Sequence, residues 1–315
     1  MKSNKLHKAK GLGYRLIPGV LELLLDKFPG AAAAYSVQLL RADYSDGLLR
    51  ARAFDPSGPA DKGEADVKYD PGADYFISLN SPIENLDANA QSRLGTNAGG
   101  GNKVLADLVD TDGSNYDGFT PKWHDQTVNG NDIANGTATE QPKIVNSGSV
   151  IKQNGKPALQ HNNNDYLFKN NMSVGLVEYF CVFYQNESST QDGQQILFSD
   201  RYINNTYYYV GVSQKGDTSG GLSSNNVGSP NYRNNGSNLY SPNRDEFYNE
   251  LEGQQNLINV QNISNLNSGF DFGLFGYTGF LLNGKVQCAI LFQREQSSKR
   301  QEIEKEINKA FNNIF

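Results

Sequence analysis

The sequence predicts an all-β-dominated fold with an N-terminal arm or helix and a C-terminal helix. Three observations carry this. Short apolar or alternating runs recur, separated by Asn-Gly and Asp-Gly pairs that close tight hairpins. The chain is rich in glycine (32) and in tyrosine (17) and phenylalanine (16), and the aromatics lie inside the strand-like runs. Helical periodicity is confined to a few short stretches and to the last fifteen or so residues.

Taken in order, residues 1–30 form a distinct arm. Lys2, Lys5, Lys8, Lys10 and Arg15 precede the stretch LIPGVLELLLDKFPG. A cationic start followed by apolar residues is similar to a secretory signal, but Pro18, Gly19 and Glu22 interrupt the apolar run. Two readings remain open. In one, the arm docks on a partner through Leu21, Leu24, Leu25 and Phe28, with Leu23 beside them; in the other, Val20 to Phe28 is a short helix on its own domain. Residues 31–119 read as a helix–strand lead-in with long loops. Ala34, Val37 and Leu40 at spacing three predict a helix from Ala31, Asp46-Gly47 a turn, and Leu48 to Phe54 a half-buried strand. Residues 55–103 read as a surface excursion, with helical pieces near 83–94 and 103–109.

From 120 to 315 the reading is β. Strands are expected at Pro142–Val145, Ala158–His161, Val177–Tyr184, Gln195–Ser199, Tyr207–Val212, Phe270–Phe275 and Lys285–Gln293, with turns at Asn129-Gly130, Asn154-Gly155, Asp192-Gly193 and Asn283-Gly284. Residues 213–243, nearly free of aliphatic side chains, read as a long exposed loop. At the end, Ser298 and Gln301 have capping-box spacing, and Ile303, Ile307, Ala310, Phe311 and Ile314 share one helical face.

Composition excludes several classes. The net charge is −6 and no basic stripe is present, which argues against a nucleic-acid partner. No apolar run is long enough for a membrane span. Two cysteines give neither a disulfide framework nor a zinc-ligand spacing, and Cys181 and Cys288 read as buried thiols within strands. Three scattered histidines offer no metal centre.

One segment, Trp123 to Phe168, carries a specific pattern. Its pieces are Trp123, Asp125-Gln126, Asn129-Gly130-Asn131-Asp132, Gln141-Pro142-Lys143-Ile144-Val145, Asn154-Gly155-Lys156-Pro157-Ala158-Leu159 and Asp165-Tyr166-Leu167. It resembles the start of a laminin-G-like, concanavalin-A-like jelly-roll sandwich. Thr127-Val128 and His161 depart from the usual residues there. The segment from Gly276 to Phe311 resembles the closing strand and helix of such domains. With AAAAYSVQLLRADYSDGLLRAR upstream, the chain is similar to the catalytic sandwich of α-L-arabinofuranosidase B and to bacteriophage tail and virion proteins that carry a copy of it. The resemblance spans roughly 31–54 and 120–315. It implies a structural virion protein (decoration, fibre or tail-associated), assembled in the host cytoplasm with other virion proteins and copies of itself and binding host surface polysaccharide. The alternatives are an arabinofuranosidase-like hydrolase and a bacterial cell-surface carbohydrate-binding module.

For sugar binding, an aromatic face beside amides is needed, and Tyr202, Tyr207, Tyr208 and Tyr209 lie near Asn-rich loops, with Tyr232 and Tyr240 further on. Hydrolysis needs two carboxyl groups at a set separation. Glu246, Glu250, Glu252 and Asp271 are the available acids, but RDEFYNELEG reads as a solvated stretch, so no catalytic residue is assigned. No cofactor is expected beyond a Ca²⁺ alternative at Asp110, Asp112 and Asp117, which surround a glycine turn that hydrogen bonds alone also explain. Trp123 reads as buried and His124 as structural.

Overall fold

The computed structural model describes residues 23–315 apart from 56–60, 96–102, 112–113, 163, 187–193, 204–205, 224–226, 241–242, 265, 267–270, 275 and 278–279. Within strands, the side chains at 111, 114, 200–203, 206–208, 276–277 and 280–281 also lie outside the description.

Helix α1 (Leu24–Lys27) is followed by β1 (Ala31–Ser36), β2 (Leu49–Phe54), β3 (Asp61–Val67), α2 (Ala88–Leu94), α3 (Leu105–Val109) and β4 (Asp117–Trp123). Next come β5 (Lys143–Asn146), β6 (Leu159–Asn162), β7 (Leu167–Lys169), β8 (Glu178–Gln185), β9 (Gln195–Ile203) and β10 (Thr206–Ser213). The chain continues through β11 (Asn231–Asn234), α4 (Arg244–Leu251), β12 (Gln255–Gln261), β13 (Phe272–Leu274), β14 (Asn283–Phe292) and α5 (Arg300–Ala310). The fold is all-β dominated, and these strands pair antiparallel.

Two runs of pairing can be followed. In the first, β1 and β6 share one edge of β14, while β8 takes the other edge and is followed by β12 and β11. In the second, β3, β2 and β4 lead through the short strand Ile133–Ala134 to β7, β13, β9 and β10. Strand β5 joins the two, pairing with β4 and with β6. The faces meet through aromatic rings. Tyr35 of β1 lies 6.0 Å from Trp123 and 6.2 Å from Phe272, and Tyr179 of β8 lies 5.0 Å from Phe198. All five are buried, which places the main core between the two layers. On the opposite face of β8, Phe180 meets Phe292 edge-on. The apolar face of α5 (Ile303, Ile307, Phe311) is buried in the same continuous core.

Several expectations are corrected. Ala31 onward is a strand, not a helix: all six residues of β1 are buried, and hydrogen bonds to β14 override the helix preference of alanine. The 55–103 stretch contains β3 and buries Ala65, Val67, Phe76, Ile77, Ile83 and Leu86; its helical pieces appear as α2 and α3. The expected boundary at 119/120 falls inside β4, which pairs with β2, so the lead-in belongs to the same sheet. Asn283-Gly284 opens β14 and makes no turn. A Cβ on Gly284 would collide with the Tyr184 carbonyl oxygen on the neighbouring strand. Asp192-Gly193 lies outside the described residues. RDEFYNELEG is largely α4, capped by the Asn243 side chain and burying Phe247, Tyr248 and Leu251 at helical spacing. The 298/301 capping box does not form: α5 begins after Lys299 with no side-chain cap.

Residues 213–243 are not one exposed loop: they hold β11 and bury Val227, Tyr232 and Asn234. Several other readings match. Strand β2 alternates buried and half-buried residues as expected, and the predicted strands from 142 onward appear within about two residues of their expected ends, except that the strand expected at Gln195–Ser199 runs on to Ile203. Trp123 is fully buried, and Cys181 and Cys288 are buried free thiols whose pKa burial pushes up, to about 12 for Cys288. Among the described residues, no helix is long and apolar enough to cross a membrane.

Candidate carbohydrate-binding groove

A groove of about 480 Å³ opens beside β11. One wall is the hairpin that β11 makes with Ser237–Asn238 through the Asn235-Gly236 turn, whose φ values of 50° and 79° suit the twist of a two-residue hairpin loop. The Leu239 N–H donates to the Tyr232 carbonyl and extends the register beyond the strand. Alternation then sorts the side chains. Asn231, Arg233, Asn238 and Tyr240 share one face; Tyr232 and Asn234, on the other, are buried. The facing wall is Leu222, Ser223 and Gly228 to Pro230.

Tyr240 is 84% exposed, the most exposed aromatic ring among the described residues, and its hydroxyl accepts a hydrogen bond from the Asn238 amide at 3.0 Å. An exposed ring fixed by an amide is a surface on which a pyranose can stack, with Asn231 and Asn238 supplying both donors and acceptors for hydroxyls. Tyr232 anchors the groove from beneath. Its ring meets Phe247 at 5.4 Å, its hydroxyl accepts from the Gly211 N–H and bonds the Ser223 hydroxyl, and burial pushes its pKa up to about 12. Among the described residues that line the groove, none is a carboxylic acid.

Of Tyr202, Tyr207, Tyr208 and Tyr209, expected to bind sugar, only the Tyr209 side chain is among those described. Tyr202 is in β9, and Tyr207 and Tyr208 are in β10; their side chains lie outside the described part. Tyr209 is half-buried, and its hydroxyl accepts from Arg244, which also pairs with Asp217 and donates to the Gly221 carbonyl. It braces the loop beside the groove and does not line it. Tyr240 and Tyr232 were legible as aromatics near Asn-rich loops. Asn231, Arg233 and Asn238 were missed because 213–243 read as one exposed loop, although alternation around Asn235-Gly236 was available as a hairpin signal.

The Trp123–Asp132 motif is structural. The edge of β1 not covered by β14 is bonded by side chains of the loop after β4. Asp125 accepts from the Ala34, Thr127 and Asn131 N–H groups and the Thr127 hydroxyl. The Gln126 side chain accepts from the Leu40 N–H and donates to the Ser36 and Gln38 carbonyls, while Asn129 and Asn131 both donate to the Ala32 carbonyl. His124 lies between Asp132 on Nδ1 (3.1 Å) and Asp66 on Nε2 (3.3 Å). Burial opposes its charge, but both carboxylates outweigh that and push its pKa up to about 9, while Asp66 is also buried yet is drawn down to about 2 by His124, Asn85 and Arg50. Asp66 belongs to β3, whose existence the sequence reading missed.

Of the residues of the Ca²⁺ alternative, the structure describes two. Asp110 is exposed at the start of a small hairpin, Asp112 lies outside the described residues, and Asp117 is buried against Lys143 at 2.8 Å and accepts from the Ser147 N–H. Among the described residues, no group of three His, Cys, Asp or Glu side chains is placed to hold a metal ion. Of the docking residues, Leu21 lies outside the description and Leu24 is half-buried, while Leu25 and Phe28 are buried in the chain's own core. The docking expectation is corrected for those two: the second reading, a short helix on its own domain, describes them. Lys27 of α1 pairs with Glu306 of α5 at 2.9 Å. The carboxylates weighed for hydrolysis fall on or beside α4, with one exception. Glu246 and Glu250 lie on α4, Glu252 is near Lys215, and Asp271 accepts from the Asn171 N–H.

No family model matches the chain, and no curated protein does. Among solved structures it is similar to a GH54 α-L-arabinofuranosidase soaked with a cyclic sulfate inhibitor (11% identity, TM-score 0.36). It is also similar to an arabinofuranosidase complexed with arabinofuranosyl-α-1,2-xylobiose (11% identity, TM-score 0.37). In both cases 90% of this chain is covered, and the chain spans 64% of the other's length.

Proposed function

We propose that this chain is a concanavalin-A-like carbohydrate-recognition protein that binds glycan at the β11 hairpin and cleaves nothing. One observation carries the reading: an exposed, amide-braced Tyr240 standing over a groove edged by asparagines. Hydrolysis needs a pair of carboxyl groups at the site, and the described lining residues are amides, hydroxyls, aromatic and aliphatic groups and one guanidinium, a set suited to binding. The motif resemblance supports a bacteriophage particle as the setting, with the chain as a decoration, fibre or tail-associated component beside other virion proteins and copies of itself.

The test is a glycan array followed by calorimetry on the hit. Tyr240→Ala is expected to weaken binding about tenfold and Tyr240→Phe to retain most of it, since the ring face supplies the contact. Equal affinity in wild type and Tyr240→Ala sinks the groove. Release of reducing sugar from the bound glycan sinks the non-enzymatic reading. Purified particles that lack the chain sink the virion setting.

A further inference from the structure

We infer that the groove selects an anionic saccharide, one carrying a carboxylate or a phosphate, with Arg233 as the residue that reads the charge. This rests on the groove being the glycan site. The chain has 34 acidic residues and a net charge of −6, yet among the described residues no acid lines this groove. Among the described lining residues the one charged side chain is a guanidinium.

That guanidinium differs in its surroundings from most others. Arg41, Arg50, Arg52, Arg244 and Arg300 each hold a carboxylate within ion-pair distance. Arg233 has no such partner among the described residues; its hydrogen bond runs from Nε to the Gln261 side-chain oxygen at 3.5 Å. Gln261 donates onward to buried Glu178, whose charge is already met by Asn259 and by the Gln296 N–H. An amide therefore separates Arg233 from that carboxylate. The bond uses Nε alone and leaves the terminal nitrogens, the fork that grips a carboxylate or phosphate, for a ligand.

Register places the group where a sugar would present it. Arg233 lies directly opposite Asn238 across the hairpin and shares its face with Asn231 and Tyr240. A residue stacked on Tyr240 would reach Asn238 with its hydroxyls and Arg233 with its acidic substituent. In an acidic chain, an isolated cation in a half-enclosed groove also draws a polyanion away from the repelling surface around it.

The experiment compares an oligogalacturonate, a glycerol-phosphate oligomer and a neutral oligoglucan of matched length by calorimetry, at low and at high salt. At least one of the two anionic probes is expected to bind at least tenfold more tightly than the neutral one, with affinity falling as salt rises, and the tighter of the two identifies the anion. Arg233→Gln is expected to remove that preference and flatten the salt dependence, and Arg233→Lys to restore part of it, with the melting temperature of each variant checking the fold. Equal binding of neutral and anionic probes, or an Arg233→Gln variant with unchanged preference, overturns the inference. If binding is then still lost in Tyr240→Ala, the groove stands as a neutral-glycan site. If no probe and no array glycan depends on Tyr240, the groove reading falls as well.

Discussion

His124 holds a carboxylate at each ring nitrogen, and its protonation ties β3 to the loop after β4. Its folded pKa of about 9 lies above the ordinary imidazole value. The stabilisation is therefore complete below about pH 6.5 and is lost as pH rises through 9. For Asp66, held at about 2, the contribution is present above about pH 4 and lost as pH falls through 2. Chemical denaturation from pH 6 to 10 is expected to show wild type losing on the order of 2 kcal/mol that His124→Gln, already destabilised at pH 6, does not lose. An alkaline decline of equal size in both proteins would remove His124 from the account. None of this was legible in the sequence, because Asp66 lies 58 residues upstream on a strand that short Gly- and Pro-rich context concealed. By contrast Cys181 and Cys288 were readable as buried, since each sits in an apolar strand-like run, and Trp123 read as buried without a strand being expected around it.

Strand β1 shows the same lesson for an element. Four alanines in a row suggest a helix, and only non-local partners make them a strand. Its open edge is bonded by the Asp125–Asn131 side chains, which explains why acid, amide and glycine recur at fixed spacing in that loop. Asp125→Ala would leave four donors without their acceptor. It is expected to cost roughly 2–4 kcal/mol and to speed hydrogen exchange at the Ala34 amide ahead of the rest of β1. Uniform exchange across β1 in that variant would show that the strand does not depend on this carboxylate. Gly284→Ala tests a different constraint, the approach of β14 to the Tyr184 carbonyl. Because backbone meets backbone there, a loss of about 3 kcal/mol or more is expected in urea melts.

For the whole molecule, the two layers depend on a shared aromatic seam, and Phe272 touches rings from both: Tyr35 and Phe198. Phe272→Ala is expected to cost about 3–5 kcal/mol and to lower the melting temperature with a single transition, since both layers lose the same contact. Two separated transitions would show that the layers unfold independently. The overall class was legible because aromatic strands and Asn-Gly turns are local signals. The groove was not, because it depends on register between β11 and Ser237–Asn238, and on which face of that hairpin the rest of the sheet leaves uncovered.

The pairing of β1 also sets an order of events during synthesis. Its backbone partner is Cys288 to Phe292 of β14, and the side chains that bond its other edge belong to residues 125–131. A ribosome adding roughly 5–20 residues per second needs on the order of tens of seconds to pass from one to the other. Throughout that interval the apolar run from Ala31 to Tyr35 has emerged without its sheet. The early-made strand is thus among the last to close, which makes folding slow by topology and leaves a sticky segment for chaperones to shield until the final strand arrives.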